Sequence, residues 1–227
     1  MSIISKRAKA NSEQVDKEKV YSIAEAIELA KKTATTKFVG SIEVHIKTGI
    51  DAKKTDQAIR GSVTLPNGTG KTRKIAAFVT ETNEAAALAA GATIAGGEEL
   101  IKQIKETEKT DFDIAVAEPA MMPKLAQIAK ILGTRGMMPN PKTGTVSENI
   151  ATAIKEIAGG KVSFKNDNSG NVHQVIGKTD FDSAKLEENL KTFMEALHSV
   201  KPAAIKRSYV ISTTLNSTMG PGIRFKA

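Results

Sequence analysis

The stretch from Lys37 to Lys47 constrains the fold most strongly, because apolar and polar residues alternate along it. A period of two indicates a β-strand with one face on a core and the other face free. Ile42, Val44 and Ile46 form the apolar set, and the polar set is Ser41, Glu43, His45 and Lys47. The polar face is either a solvated outer face, as is common in antiparallel sheets, or a binding platform.

Composition excludes several classes of protein. The chain has 227 residues, 40% of them hydrophobic, and no cysteine, so we expect a folded protein without disulfides, thiolate catalysis or cysteine-bound zinc. No apolar run approaches the ~20 residues of a membrane span, and the N-terminus lacks the apolar segment of a secretory signal. We therefore expect a cytoplasmic protein that does not bind a membrane.

Positive charge is unevenly distributed along the chain, which has a net charge of +8. Residues 75–159 contain 8 Lys/Arg and 11 Asp/Glu, whereas the remainder contains 25 and 14. A basic excess attracts phosphate backbones by releasing their counterions. The two ends of the chain are therefore the expected binding region for a nucleic acid.

Two breaks divide the chain. Pro66–Thr72 and Gly159–Gly160 interrupt the regular patterns, and short strands alternate with helices between them. Such alternation favours a small sheet covered by helices. We expect a discontinuous domain at 1–67 and 160–227, containing both termini, and an inserted domain at 68–159.

The local patterns predict individual elements. A capping box at Ser22 and Glu25 starts a helix. We further predict strands at 61–65, 75–80, 112–117 and 208–215. Helices are predicted at 82–90, 98–106, 119–132 and 183–200, with one more that Ser147 caps and that ends at 158. We also predict a hairpin of 161–166 with 172–177 and a basic C-terminal tail.

No catalytic constellation is present in the sequence. His45, His173 and His198 lie on separate predicted elements without metal-ligand spacing. Gly70-Lys71-Thr72 resembles the end of a phosphate-binding loop, but Leu65 stands where that motif requires its first glycine. We expect neither a metal nor a cofactor. A nucleotide- or phosphate-using enzyme built on the inserted domain is the alternative class.

The low aromatic content, 4%, disfavours a single-strand binder with stacking platforms. It favours a protein that recognises folded RNA through backbone, 2′-hydroxyl and shape contacts. Two segments remain ambiguous. The proline-rich loop 133–146 either binds an anion through Arg135 and Lys142 or merely crosses the surface, and residues 217–221 form either an RNA contact or only a turn.

Several motifs together resemble the large-subunit ribosomal protein L-one family. They are Met138–Val146, Ser217–Pro221, Glu43-Val44-His45 followed by Gly49-Ile50-Asp51, and Arg60-Gly61. The resemblance implies a discontinuous two-layer α+β domain and an inserted three-layer α/β, Rossmann-like domain. It also implies a non-enzymatic protein that binds large-subunit ribosomal RNA at the mobile stalk near the tRNA exit site.

Further expectations follow from the same resemblance. The protein would aid release of deacylated exit-site tRNA, repress translation of its own mRNA, and be a monomer off the ribosome. Carried over by motif, the expected RNA-binding residues are Lys37, Phe38, Ser41, Glu43, Thr218, Met219 and Gly220. We also expect RNA contacts from Lys47, Lys165, Lys178 and Ser212, with Lys142 as a weaker contact.

Overall fold

The structure is a computed structural model that describes residues 5–52, 54–203, 205 and 208–226. It divides into two units. The first comprises the chain up to Gly70 and again from Val162, and the second comprises Lys71–Lys161. Each unit has its own buried apolar side chains.

The regular elements follow one another along the chain. The first unit begins with α1 (Lys6–Glu13), α2 (Ile23–Lys32), β1 (Ser41–Thr48) and β2 (Arg60–Thr64). The second unit contains β3 (Ile75–Phe78), α3 (Glu81–Ala89), β4 (Ile94–Gly96), α4 (Glu98–Thr107), β5 (Ile114–Ala117), α5 (Met122–Leu125), α6 (Ala129–Thr134) and α7 (Ile150–Ala158). The chain then continues with β6 (Lys161–Lys165), β7 (Asn171–Lys178), α8 (Ser183–Ser199), β8 (Val210–Ser217) and β9 (Ile223–Phe225).

A four-stranded antiparallel sheet, in the order β7-β1-β8-β9, organises the first unit. Ile42, Val44 and Ile46 of β1 are completely buried, so the alternation predicted for this strand is confirmed. Leu190 and Phe193 of α8 belong to the same core, which β2 and β6 complete as a separate two-stranded sheet. Burial of one strand face leaves the opposite face of the four-stranded sheet outside this core.

Helix α2 begins as the sequence predicts. The Ser22 hydroxyl accepts a hydrogen bond from the Glu25 amide at 3.4 Å, and the Glu25 carboxylate accepts one from the Ser22 amide at 3.0 Å. This reciprocal capping satisfies two backbone donors that a helix start otherwise leaves free. Ala26, Ile27 and Ala30 then bury the apolar stripe of the helix.

The second unit contains a parallel sheet in the order β4-β3-β5. The side chains of β3 alternate between two apolar clusters. Ile75 and Ala77 pack with α3 and α7, whereas Ala76 and Phe78 pack with residues of α4 to α6. Helices therefore cover both faces of the sheet, and the mixed α/β class predicted from the sequence is confirmed.

Two helix predictions in the second unit are confirmed as helical segments but differ in detail. In place of one continuous helix over 119–132, a 3₁₀ turn precedes α5 and a second 3₁₀ turn separates α5 from α6. Pro123 has no amide hydrogen to donate to the Pro119 carbonyl, which accounts for the first interruption. Helix α7 is capped by Asn149, whose side chain accepts from the Thr152 amide at 3.4 Å, and not by Ser147.

Strand pairing also differs from the predicted pattern. Strands β6 and β7 do not form a hairpin, since β6 pairs with β2 and β7 pairs with β1; one isolated bridge, between Asn166 and Val172, joins the two segments. The end of the chain is not simply a tail, because β9 pairs with β8. Strand β4, with three residues, was too short to give a recognisable alternating pattern.

Candidate nucleic-acid interface

The side of the four-stranded sheet that faces away from the core is predominantly polar. Cross-strand register places Glu43 opposite Asn216, His45 opposite both His173 and Thr214, and Lys47 opposite Ser212. Paired residues of an antiparallel sheet project from the same face. We refer to this surface as the polar sheet face: Ser41, Glu43, His45, Lys47, Asn171, His173, Val175, Lys178, Ser212, Thr214, Asn216 and Arg224.

The middle of the polar sheet face contains a histidine pair that the sequence interpretation missed. Nδ1 of His45 lies 2.8 Å from Nδ1 of His173. Nε2 of His45 lies 2.8 Å from the Asn216 side-chain oxygen, and Nε2 of His173 lies 3.4 Å from a carboxylate oxygen of Asp167. The sequence shows that His45 and His173 each lie in a strand whose polar and apolar residues alternate. Spacing along the chain cannot show, however, that β1 and β7 are neighbours in the sheet.

Asp167 is the anionic end of this network. Its carboxylate accepts hydrogen bonds from the amides of Asn171 and Ser169 at 2.7 and 2.8 Å, in the turn that leads into β7. The bond from the Asn171 amide, helped by the Asn171 side chain, the Ser169 amide and His173, lowers the pKa of Asp167 from 3.8 to about 2. The carboxylate is therefore ionised at neutral pH and can only accept hydrogen bonds.

Thr218 attaches the turn after β8 to the beginning of β1. Its hydroxyl accepts a hydrogen bond from the Ser41 amide at 2.9 Å and donates one to the Ser41 carbonyl at 3.2 Å. The Thr218 amide also donates to the Ser41 carbonyl, at 2.9 Å. Residues 217–220 and the start of β1 therefore form one hydrogen-bonded structure.

The turn itself exposes one large apolar side chain. Met219 is 66% exposed and has a φ of +61°, a left-handed conformation that is uncommon for a residue with a side chain. Gly220 donates its amide to the Ser217 carbonyl at 2.8 Å. A Cβ at Gly220 would collide with Ser217 Oγ, so the absence of a side chain permits this close approach.

Lys37 and Phe38 lie just before β1 rather than within it, and both are exposed. The Phe38 side chain is 57% exposed and the neighbouring Val39 is 54% exposed. Gly40 connects this segment to the turn, since a Cβ there would lie 3.2 Å from Thr218 Cβ. Exposed apolar groups thus accompany a polar, charged face, a combination suited to packing on sugar or base surfaces.

Of the remaining residues predicted to bind RNA, some lie on the polar sheet face and others lie elsewhere. Lys47 and Ser212 are exposed and lie opposite each other, while Lys178 lies opposite Ser41. Ser41 is buried, with 8% of its surface exposed, so its contribution is chiefly the backbone groups that bind Thr218. The last two predicted residues lie on other elements: Lys165 on β6 of the two-stranded sheet and Lys142 in the second unit.

The Glu43 carboxylate is half-buried between strands β7 and β8. Within the described part of the chain, it has neither an ion pair nor a hydrogen bond. A carboxylate repels phosphate but accepts hydrogen bonds from hydroxyl and amino groups. Glu43 can therefore serve as an acceptor for a 2′-hydroxyl or a base edge.

The loop of residues 133–146 is held mainly by its own hydrogen bonds. The Asn140 amide donates to Thr145 Oγ1 at 2.8 Å, and the Asn140 side chain accepts from the Lys142 amide at 2.9 Å. The Arg135 guanidinium bonds to Thr110 Oγ1 and to the Glu108 carbonyl. Arg135 is thus engaged within the second unit, whereas Lys142 is exposed.

An open cleft of about 990 Å³ lies at the carboxyl ends of strands β3 and β4, a usual position for a nucleotide in an α/β sheet. Glu118, which is 6% exposed, accepts from the Thr80 amide at 3.0 Å and from the Asn83 side chain at 2.5 Å. Its carboxylate occupies the start of α3, where a phosphate would need to bind. Glutamates 81, 84, 98 and 99 also line the cleft.

The residues that the structure describes lack two features that mark other classes of protein. They contain no group of three or more histidine, cysteine or acidic side chains arranged to hold a metal ion. Among the helices described, none combines the length and apolar character needed to cross a membrane.

The comparisons with known proteins agree with one another. The Ribosomal protein L1p/L10e family matches residues 30–221. Three relatives, each called large ribosomal subunit protein uL1, come from Mycoplasma capricolum, Streptomyces coelicolor and Thermosipho africanus. They are 50%, 46% and 46% identical to the chain, over 99%, 98% and 97% of its length and 99%, 92% and 95% of their own.

The chain belongs to the Ribosomal protein L1p/L10e family, and the resemblance inferred from its motifs is confirmed. It is a structural ribosomal protein rather than an enzyme. The alternative of an enzyme built on the second unit has no support, in keeping with the carboxylate that occupies the start of α3.

Proposed function

We propose that the polar sheet face, together with the turn Thr218–Gly220, binds large-subunit ribosomal RNA at the mobile stalk near the tRNA exit site. The first unit is then the discontinuous RNA-binding α+β domain, and the second is the inserted three-layer α/β domain. The protein works in the cytoplasm as part of the ribosome, and it is a monomer when it is free.

The attachment of Thr218 to Ser41 is the observation that carries this proposal. It holds the exposed Met219 next to the segment that contains Lys37 and Phe38, at one end of a face that also contains Glu43. Charge attracts the phosphate backbone, whereas the carboxylate and the apolar groups favour an RNA of particular shape.

The distribution of charge supports the same assignment, although less strongly than the sequence division suggested. The second unit contains 12 Lys/Arg and 11 Asp/Glu, because Lys71, Arg73, Lys74 and Lys161 fall within it. The first unit contains 21 Lys/Arg and 14 Asp/Glu. The basic excess therefore remains with the unit that contains the polar sheet face.

Two further activities belong to the proposal. By binding at the stalk, the protein aids release of deacylated tRNA from the exit site. It also represses translation of its own mRNA, through an RNA structure that resembles the ribosomal site. The second activity follows from a surface that recognises RNA by shape, since such a surface accepts any RNA that presents the same groups.

Direct binding measurements test the proposal. We expect the full chain to bind a stalk fragment of large-subunit ribosomal RNA tightly and the leader of its own mRNA more weakly, and to discriminate against an unrelated duplex of equal length. Equal affinity for all three RNAs at physiological salt would contradict shape recognition. In a parallel check, the absorbance ratio of purified protein before and after nuclease treatment reports any RNA that co-purifies.

A further inference from the structure

The hydrogen bonds around His45 and His173 determine how many protons the two rings carry. The Asp167 carboxylate accepts only, so Nε2 of His173 must carry a proton to bond to it. The Asn216 oxygen likewise requires a proton on Nε2 of His45. The 2.8 Å contact between the two Nδ1 atoms requires a third proton. Two neutral imidazoles carry only two protons, so making all three hydrogen bonds at once requires one positive charge.

The neutral pair requires a different arrangement of Asn216. When the pair carries two protons, Nε2 of His173 still donates to Asp167. The second proton is on Nδ1 of His45, which donates it to Nδ1 of His173. Nε2 of His45 then becomes an acceptor, and the Asn216 amide must turn over to donate its NH₂ group. Proton loss thus reverses which group of Asn216 points away from His45.

Asn216 lies at the centre of the proposed RNA surface, opposite Glu43 and two residues before Thr218. In the cationic arrangement its NH₂ group has no partner within the described residues, and it can donate to RNA. A donor group beside a cation suits an RNA phosphate, whereas an exposed amide oxygen beside a neutral pair does not.

The charged groups around the pair come from every neighbouring element. Strand β1 contributes Glu43 and Lys47, and β7 contributes Lys178 at its far end. Strand β8 contributes only Ser212, Thr214 and Asn216, which do not titrate, and beyond it β9 contributes Arg224. The turn before β7 contributes Asp167, the carboxylate that contacts the pair directly, at 3.4 Å.

We propose that His45, His173 and Asn216 form an additional RNA subsite, which binds a backbone phosphate in the cationic arrangement, so that the neutral pair takes up one proton when it binds the RNA. The inference rests on the proposed function, because the phosphate belongs to the RNA on the polar sheet face.

The test measures binding of the full chain to the ribosomal RNA fragment between about pH 6 and about pH 8 at constant ionic strength. If binding is linked to one proton, Kd should rise by up to about tenfold for each unit by which the pH increases. In His173→Gln and in His45→Gln, only the pH dependence that arises from titrating groups of the RNA should remain. His198→Gln is the matched control, because His198 lies on α8 and contacts Tyr209 instead; this variant should behave as the unmodified protein does.

Salt dependence distinguishes a phosphate from another RNA group. At the lower pH, the slope of log Kd against log salt should be larger by about one unit than at the higher pH. This difference should vanish in His173→Gln. Equal slopes at both pH values in the unmodified protein would overturn the assignment of a phosphate.

Calorimetry of the unmodified protein keeps the proposal testable if the variants fail to fold. Binding enthalpies in buffers of different ionisation enthalpy should show uptake of up to one proton per complex, and His198→Gln should show the same uptake. RNA binding without proton uptake at about pH 7 would overturn this inference and leave the proposed function intact. Failure to bind the RNA at any pH would instead overturn both.

Discussion

The Thr218 side chain makes two hydrogen bonds to the backbone of Ser41, a residue 177 positions earlier in the chain. The hydroxyl accepts from the amide and donates to the carbonyl of the same residue. Thr218 therefore acts as an additional hydrogen-bond partner at the beginning of β1. The exposed segment before Ser41 and the exposed turn after Ser217 are held together by this one side chain.

Thr218→Val should destabilise the protein and weaken RNA binding. The valine has the same shape but leaves the Ser41 amide without its hydroxyl partner, which costs roughly 1–2 kcal/mol in the free energy of unfolding. Thr218→Ser retains the hydroxyl and is the matched control. Denaturant unfolding and RNA binding should be measured on both variants. If valine and serine bind the RNA equally well, the hydroxyl does not position the turn.

Gly220→Ala should reduce RNA affinity because the turn must move. The added methyl group would collide with Ser217 Oγ and lie 3.2 Å from the Ser217 carbonyl oxygen. Gly133→Ala is a suitable control, since a methyl group there meets no atom within 4 Å. We expect weaker binding only for the first variant. Unchanged affinity in a correctly folded Gly220→Ala protein would show that the shape of the turn is irrelevant to binding.

Lys37→Ala and Met219→Ala should affect binding in different ways. Loss of one phosphate contact flattens the slope of log Kd against log salt by about one unit. Loss of the Met219 side chain removes packing instead, so affinity should fall by a similar factor at every salt concentration. Salt titrations of both variants distinguish the two effects. A flattened slope for Met219→Ala would argue against a packing role.

The first unit should bind RNA without the second. A chain in which a short glycine linker joins Gly70 to Val162 retains the four-stranded sheet, its core and the turn Ser217–Gly220. We expect this protein to bind the ribosomal RNA fragment and the isolated segment Lys71–Lys161 not to bind it. Circular dichroism should confirm that each piece folds. RNA binding by the second unit alone would refute this assignment.

Acid should weaken the fold through Asp167. Because folding lowers its pKa from 3.8 to about 2, the ionised carboxylate stabilises the native state above pH 3.8, and this contribution is lost as the pH falls toward 2. In Asp167→Asn, the side-chain oxygen still accepts from the turn amides but the charge is absent. The variant should therefore be less stable than the unmodified protein above about pH 4 and lose less stability below it.

Urea unfolding at a series of pH values measures this difference. Asp180→Asn is the control, because Asp180 is exposed and has neither a hydrogen bond nor an ion pair with any described residue. Parallel stability curves for the Asp167 variant and the unmodified protein would show that the turn does not respond to this charge.

Local patterns in the sequence were sufficient for several conclusions. The alternation from Ser41 to Lys47 identified a strand with one buried face, because pleating alone places successive side chains on opposite sides. The Ser22–Glu25 capping box located the start of α2, since both partners lie within four residues. The motifs at Met138–Val146 and Ser217–Pro221 were specific enough to indicate the family.

Only the tertiary structure decided which strands are neighbours, and the candidate site depends on that choice. Nothing in the spacing of His45, His173 and Asn216 shows that they meet, because sheet order is set by packing of distant segments against a shared core. The same reason explains why β6 was wrongly paired with β7. The sequence thus determined most of the elements and the family, while long-range packing placed Thr218 on Ser41 and built the histidine pair.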